Sequence, residues 1–295
     1  MNHEHDHPVL TGRPMGVALA LNLSVFLLEI AGGIWADSLA LISDALHNLS
    51  DCATLVLALV AIRLAASRAT STRTFGHLRA EVLVAAVNAL TLLAVGVYIV
   101  YEGIGRVLDP PEVEGGLVMA FGTVGLVANL ASTLVIRPYA HADLNARSAL
   151  LHLATDAAES AAVIAGGILV YLGFPIADPI LSLGIGALTM KGSIDVLRAA
   201  IRILDEGAPA GADSDAVARC LRSVPGVCDV HHVHVWSLSS RFRALSAHVV
   251  VQDQRIGEAA SLVQRMSEAV HEEFGIEHPT FQLEVGDCAD RDCSR

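Results

Sequence analysis

Charge is scarce in this chain. Asp, Glu, Lys and Arg make up 17% of its 295 residues, against about 25% in soluble domains. Apolar residues make up 53% and aromatics only 4%. So little charge cannot keep this much apolar surface in water, and a bilayer is the solvent that removes the difficulty. The charge that is present is acidic, with a net −12, which argues against nucleic acid as a partner. No secretory cleavage pattern opens the chain, and its five cysteines are an odd number. A disulfide framework is therefore not expected, and reduced thiols on the cytoplasmic side fit better. Acidic residues are also few across the first two hundred positions but common from Asp205 onward. That break in composition marks a second, soluble domain.

Six apolar runs fill the first part, near 15–35, 38–64, 81–104, 116–136, 146–172 and 176–201. Each approaches or exceeds the roughly 20 residues a helix needs to cross a bilayer. Pro110, Pro111, Pro138, Pro175 and Pro179 stand in the gaps, where breakers belong. Arg63, Arg68, Arg73 and Arg79 lie between runs two and three, Arg137 and Arg147 between four and five, and Arg198 and Arg202 at the end of six. The opposite loops hold little positive charge beyond Arg106. The positive-inside rule then places both termini in the cytoplasm, and a bacterial inner membrane is the expected location. The expected organisation is a tail at 1–14, a membrane domain at 15–204 and a cytoplasmic domain at 205–295.

Against this background the ionisable residues inside the spans stand out. The stretch SLALISDALHNLSDC carries Asp44, His47 and Asp51, spaced three and four apart and so on one helical face. About a hundred residues later SALLHLATDAAES repeats the pattern with His152 and Asp156. A lone His in an apolar helix is usually a hydrogen-bonded core residue. Two helices that each offer an imidazole and a carboxylate can instead close an N2O2 shell, which suits zinc. Intramembrane ionisable groups are functional candidates by default. Glu159 lies just beyond as a supporting acid. Asp44 is two turns from Asp51, so a proton relay or an entry path suits it better than ligation. Glu29 and Asn22 face water or a neighbouring helix, Asn48 points away from His47, and Asn88 and Asn129 serve as interhelical hydrogen bonders.

After a linker, the pattern runs helix, strand, strand, helix, strand: 214–223, 227–238, 244–252, 258–274 and 280–285. This is a small α+β layer. Strict alternation along the strands puts His232, His234, His248 and Glu284 on one polar face, with Cys288 and Cys293 trailing after it. His, Glu and Cys together are ligand chemistry, so a second zinc site is expected there. An ordinary solvated face is the alternative. The N-terminal His3, His5 and His7 are candidate tail ligands, or simply a polar terminus.

With these residues in view, the chain resembles the cation diffusion facilitator family, zinc-transporter type, over nearly its whole length. SLALISDALHNLSD and HLATD resemble that family's second- and fifth-helix signatures. FGHLRAEVL resembles its entry to the third helix, and HVWSLSSRFRALSAHVVV its cytoplasmic domain. The resemblance implies six membrane helices, a ferredoxin-like cytoplasmic domain and a homodimer. It implies export of divalent metal from the cytoplasm against inward proton flow, through His47, Asp51, His152 and Asp156. By the same likeness His234, His248 and Glu284 are the preferred cytoplasmic ligands. His77 is the one obvious candidate for a site that some members carry in the loop between helices two and three. A long His-rich loop between helices four and five, present in many animal members, is missing.

The chemistry agrees with exchange. Metal needs neutral imidazole and ionised carboxylate, so protons compete for the same atoms, and His titrates near pH ~6.5. Zinc is the expected substrate, with cobalt or cadmium also able to pass, protons as counter-ion and no organic cofactor. Two rivals remain. A membrane metallohydrolase would need a general base such as Glu159, but no apolar run carries H-E-x-x-H. A membrane-anchored metal sensor would not need six spans with buried ligands.

Overall fold

The computed structural model describes residues 13–65, 69–136 and 144–286. Six long helices come first: α1 (Arg13–Ala36), α2 (Leu39–Ala65), α3 (Leu78–Leu108), α4 (Gly115–Ile136), α5 (Leu144–Tyr171) and α6 (Ala177–Leu204). Then follow α7 (Ser214–Ser223), β1 (Val227–Ser237), β2 (Arg243–Val251), α8 (Ile256–Phe274) and β3 (Ile276–Val285). The chain divides into two compact units, Met1–Leu59 with Val87–Asp195 and Val60–Ala86 with Val196–Arg295.

In the first unit, large apolar side chains point outward. Leu27, Ile34, Val87, Tyr101, Leu134 and Leu172 are all exposed, while Glu29, Asp44, Asn129, Asp156 and Asp178 are buried. This inversion is what a lipid environment requires, because buried polar groups then find partners between helices. Among the described residues, five helices are long and apolar enough to cross a membrane: α1, α3, α4, α5 and α6. Helix α2, several of whose side chains lie outside the described residues, is 27 residues long, the length expected of the sixth span. It concentrates Asp44, His47, Asn48 and Asp51 in its first half, and α1 and α5 bury polar partners for that half.

Helices α4 and α5 touch through glycine. A Cβ at Gly115 would lie 2.6 Å from the Gly167 carbonyl oxygen and 2.8 Å from the Tyr171 nitrogen. Both are backbone atoms and cannot turn aside. Small residues permit such approach where no hydrophobic effect drives association. Gly115→Leu is therefore expected to push the pair apart and to destabilise the bundle by about 1–3 kcal/mol, read as a lower thermal midpoint in detergent.

Helix α3 is longer at both ends than the expected 81–104. Its charged ends continue the helix, with Arg106 Nε donating to Glu102 Oε1 at 3.0 Å one turn apart. Charge at a helix end marks the edge of an apolar run, but it does not stop a helix.

The second unit holds a three-stranded sheet in the order β1-β2-β3. β1 and β2 pair antiparallel, and β2 and β3 pair parallel, with α8 as the crossover. Asp213 caps α7 by accepting from the Ala216 N–H at 2.8 Å. Gly275 ends α8 in the left-handed region at φ 63°, which only glycine adopts without cost. Leu262, Met266, Val270 and Phe274 form the buried stripe of α8 over Val230, Leu245, Val249 and Ile276. This matches the helix, strand, strand, helix, strand order and the ferredoxin-like expectation. β3 starts at Ile276 rather than near 280, because Pro279 sits within it opposite Leu245. β3 is an edge strand, and there a residue without an N–H is tolerated.

One expectation fails in part. Cys52 and Cys220 are in no disulfide, but Cys228 is disulfide-bonded. An argument from compartment and cysteine parity cannot see which sulfurs the fold brings together.

Candidate metal sites

The first constellation lies between α2 and α5. His47 Nε2 is 3.5 Å from Asp156 Oδ1 and 3.8 Å from Glu159 Oε2. His152 Nδ1 is 3.7 Å from the same Asp156 oxygen. The two imidazole rings are 6.2 Å apart, centroid to centroid. Helical spacing accounts for this: His152, Asp156 and Glu159 occupy successive turns of one α5 face, and His47 faces them from α2. Asp156 Oδ1 is buried and accepts no hydrogen bond among the described residues. A buried carboxylate oxygen left so is costly, and a divalent cation is a partner that would satisfy it. Asp51 follows His47 by one turn of α2, and its side chain lies outside the described residues.

A polar layer backs this constellation. Ser160 Oγ donates to Asp44 Oδ2 at 3.4 Å, and Asn129 Nδ2 donates to Ser160 Oγ at 3.4 Å. Asp44 is thus tied to α5 and, through it, to α4. Asn48 turns away from His47, as expected, and donates to Glu29 Oε2 at 2.6 Å. Glu29 faces a neighbouring helix rather than water.

The second constellation is on the sheet, and its membership differs from the expectation. His248 Nδ1 lies 2.7 Å from Glu284 Oε1, and His231 Nε2 lies 3.2 Å from Glu284 Oε2. The rings of His231, His232 and His248 stand 4.9–5.3 Å apart, and one nitrogen from each lies within 4.8 Å of the others. His231 therefore belongs here and was missed. His234, expected in the group, lies outside it: it is exposed and pairs with Ser246. The cause is a bulge. Register shifts between His231 and His234, and His232 takes φ 50°, a strained value for a residue with a Cβ. The extra residue brings both His231 and His232 beside His248. Strained backbone and bulges cluster at functional positions. The HH doublet inside a strand, breaking alternation, was the available signal.

The second constellation fits zinc. With Glu284 against His248 Nδ1 and His231 Nε2, the other ring nitrogens are left for a metal, and His231 Nδ1 is buried with no hydrogen-bond partner among the described residues. A carboxylate that fixes imidazole tautomers is the usual support for such ligands. Gln282 steadies it, its Nε2 donating to Glu284 Oε1 at 3.0 Å.

Other candidates gain no support. His77 is half-buried near the start of α3 and belongs to no three-ligand group among the described residues. His3, His5, His7, Cys288 and Cys293 lie outside the described residues. Cys220 is a packing residue: burial, with Glu273 beside it, pushes its thiol up to about 11, so it stays neutral and unreactive.

A helical membrane bundle in which two imidazoles meet a buried aspartate, joined to a small α+β unit with a histidine cluster, defines a metal-handling membrane protein. Comparison with known proteins makes this specific. The family model for the cation efflux transmembrane domain matches residues 15–204, and that for the cation efflux protein cytoplasmic domain matches 209–285. The chain belongs to the cation efflux family, the cation diffusion facilitators. It is 35% identical over 302 residues to the zinc transporter ZitB of Escherichia coli, covering 99% of this chain and 96% of that protein. It is 34% identical over 294 residues to the metal cation efflux system protein CzcD of Cupriavidus metallidurans, covering 99% and 93%. It is 33% identical over 289 residues to the cadmium, cobalt and zinc/H(+)-K(+) antiporter of Bacillus subtilis, covering 97% and 92%.

Proposed function

We propose that this integral membrane protein exports zinc from the cytoplasm in exchange for protons by alternating access. His47, Asp51, His152 and Asp156 form the transport site. The observation that carries the reading is His47 of α2 facing Asp156 of α5 at 3.5 Å inside an apolar bundle. Zinc and protons compete for these imidazoles and carboxylates, so release of one accompanies capture of the other. Rocking of helices about the midplane exposes the site first to one side and then to the other. Asp44 carries protons toward the site, and Glu159 steadies His47. Two imidazoles with two carboxylates favour zinc, with cobalt and cadmium as further substrates, in keeping with the names of the relatives.

Residues 15–204 form the membrane domain and 205–295 the cytoplasmic one, behind a tail at 1–14. The cytoplasmic unit binds zinc through His231, His232 and His248, oriented by Glu284, and contributes to a homodimer. The protein lies in a bacterial inner membrane with both termini in the cytoplasm, following its arginine distribution. Membership in a family of transporters favours transport over hydrolysis.

Proteoliposomes test the whole reading. Zinc uptake should accelerate when the lumen is acidic and should raise luminal pH as zinc enters. Imposed potassium gradients alone separate a potassium-coupled exchanger, and zinc movement indifferent to pH would end the antiport reading.

A further inference from the structure

The buried carboxylate of Asp178 takes no part in either constellation, yet it is firmly bonded. It sits in the first turn of α6 and is 2% exposed. Its Oδ2 accepts the Leu39 N–H at 2.9 Å, and its Oδ1 accepts the Ala40 N–H at 3.4 Å and the Ser38 hydroxyl. Ser38 Oγ in turn accepts the Leu41 N–H at 3.1 Å. The first N–H groups of a helix have no partner within it, and here three successive ones of α2 are satisfied. Two of the three are taken by a residue 138–139 positions away. A carboxylate at a helix N-terminus also meets the positive end of the dipole, and Asp178 serves α6 and α2 together.

The turn before α2 is held just as closely. Arg106 of α3 donates from Nη1 to the Asp37 carbonyl at 2.7 Å and from Nη2 to Asp37 Oδ1 at 2.9 Å. The Glu114 N–H donates to the Ala36 carbonyl at 3.0 Å. Asp37 itself has φ 51°, an uncommon value held only where the surroundings insist. The N-terminal end of α2 is therefore pinned from α6, from α3 and from the residue before α4. His47 lies nine residues past Ser38, roughly 13 Å along the axis at 1.5 Å per residue.

We propose that Asp178 is a positioning residue for metal transport, anchoring the first turn of α2 as the pivot about which its ligand-bearing turns tilt. This rests on the transport site proposed above. Binding is set where α2 meets α5, whereas turnover requires α2 to move about a fixed end. Loss of the anchor then spoils movement more than binding.

The test measures zinc flux by the full-length protein in proteoliposomes across zinc concentrations. Asp178→Asn, which keeps the shape but not the charge or the paired acceptors, is expected to lower Vmax by at least about tenfold with KM within about threefold. Ser38→Ala, which leaves both backbone bonds to Asp178, should lower Vmax in the same direction by about two- to threefold. If Asp178→Asn does not fold, Ser38→Ala decides alone. Wild-type Vmax in the folded variants overturns the proposal, and so does a rise in KM that matches the fall in Vmax. His47→Ala is run in parallel. If it transports normally the site reading fails; if it is inactive while Asp178→Asn is normal, only the anchor fails.

Discussion

Asp156→Ala is expected to abolish zinc export, with flux reduced on the order of 100-fold or more, beyond the 10–100-fold seen when only supporting groups are lost. The reason is positional. Asp156 Oδ1 stands within 4 Å of His47 on the opposing helix and of His152 on its own, so it is the atom that joins the two imidazoles into one site. Protein stability should not fall in step. Removing a buried carboxylate oxygen that accepts no hydrogen bond among the described residues also removes its desolvation penalty. The expected result is an inactive protein whose thermal midpoint is unchanged or raised. Asp51→Ala should behave alike, and Glu159→Ala, which touches His47 at 3.8 Å, should cost about tenfold. Proteoliposome flux with a melting curve for each variant checks this. Unimpaired flux in Asp156→Ala would remove the α2–α5 constellation from the mechanism.

The α2–α5 constellation was legible because a helix has a fixed period. His152 with Asp156 needed only a spacing of four and an apolar setting to be found, and His47 faces them from α2. What spacing does not say is which helix packs on which. The Asn48–Glu29 bond, the Ser160–Asp44 contact and the reach of Asp178 to Leu39 all link segments whose neighbours no periodicity reveals. The sheet shows the complementary limit. Alternation holds along β2, where Leu245, Ala247 and Val249 are buried and His248 is not. It breaks along β1, where Val230 and Val235 are both buried although they are five apart and of opposite parity. One inserted residue between them reverses every assignment made from one end of the strand. His231 was lost and His234 gained by that single slip, and only the pairing with β2 corrects it. Length was misread for similar reasons: α3 continues through its charged ends and β3 through Pro279.

That correction leads to the second large effect. Zinc is expected to stabilise the cytoplasmic unit, and His248→Ala should remove nearly all of this. Zinc at a hundred times its dissociation constant stabilises by about 2.7 kcal/mol. Loss of a ligand weakens binding by about 100-fold or more, which brings the same zinc concentration to the dissociation constant and leaves RT ln 2, about 0.4 kcal/mol. Glu284→Gln should act in the same direction, since one carboxylate orients both His248 and His231. Acidification should reproduce the loss in the unaltered protein, because protons compete with the metal for the ring nitrogens. His231→Ala and His234→Ala then make the decisive pair. The bulge puts His231 in the cluster and His234 outside it, so the first variant should lose the zinc-induced shift and the second should keep it. Trp236 fluorescence during thermal unfolding, with and without zinc, is a suitable reporter on β1. If instead His234→Ala loses the shift and His231→Ala keeps it, the strand would have to run in strict alternation, and the three-histidine cluster would dissolve with the bulge that creates it.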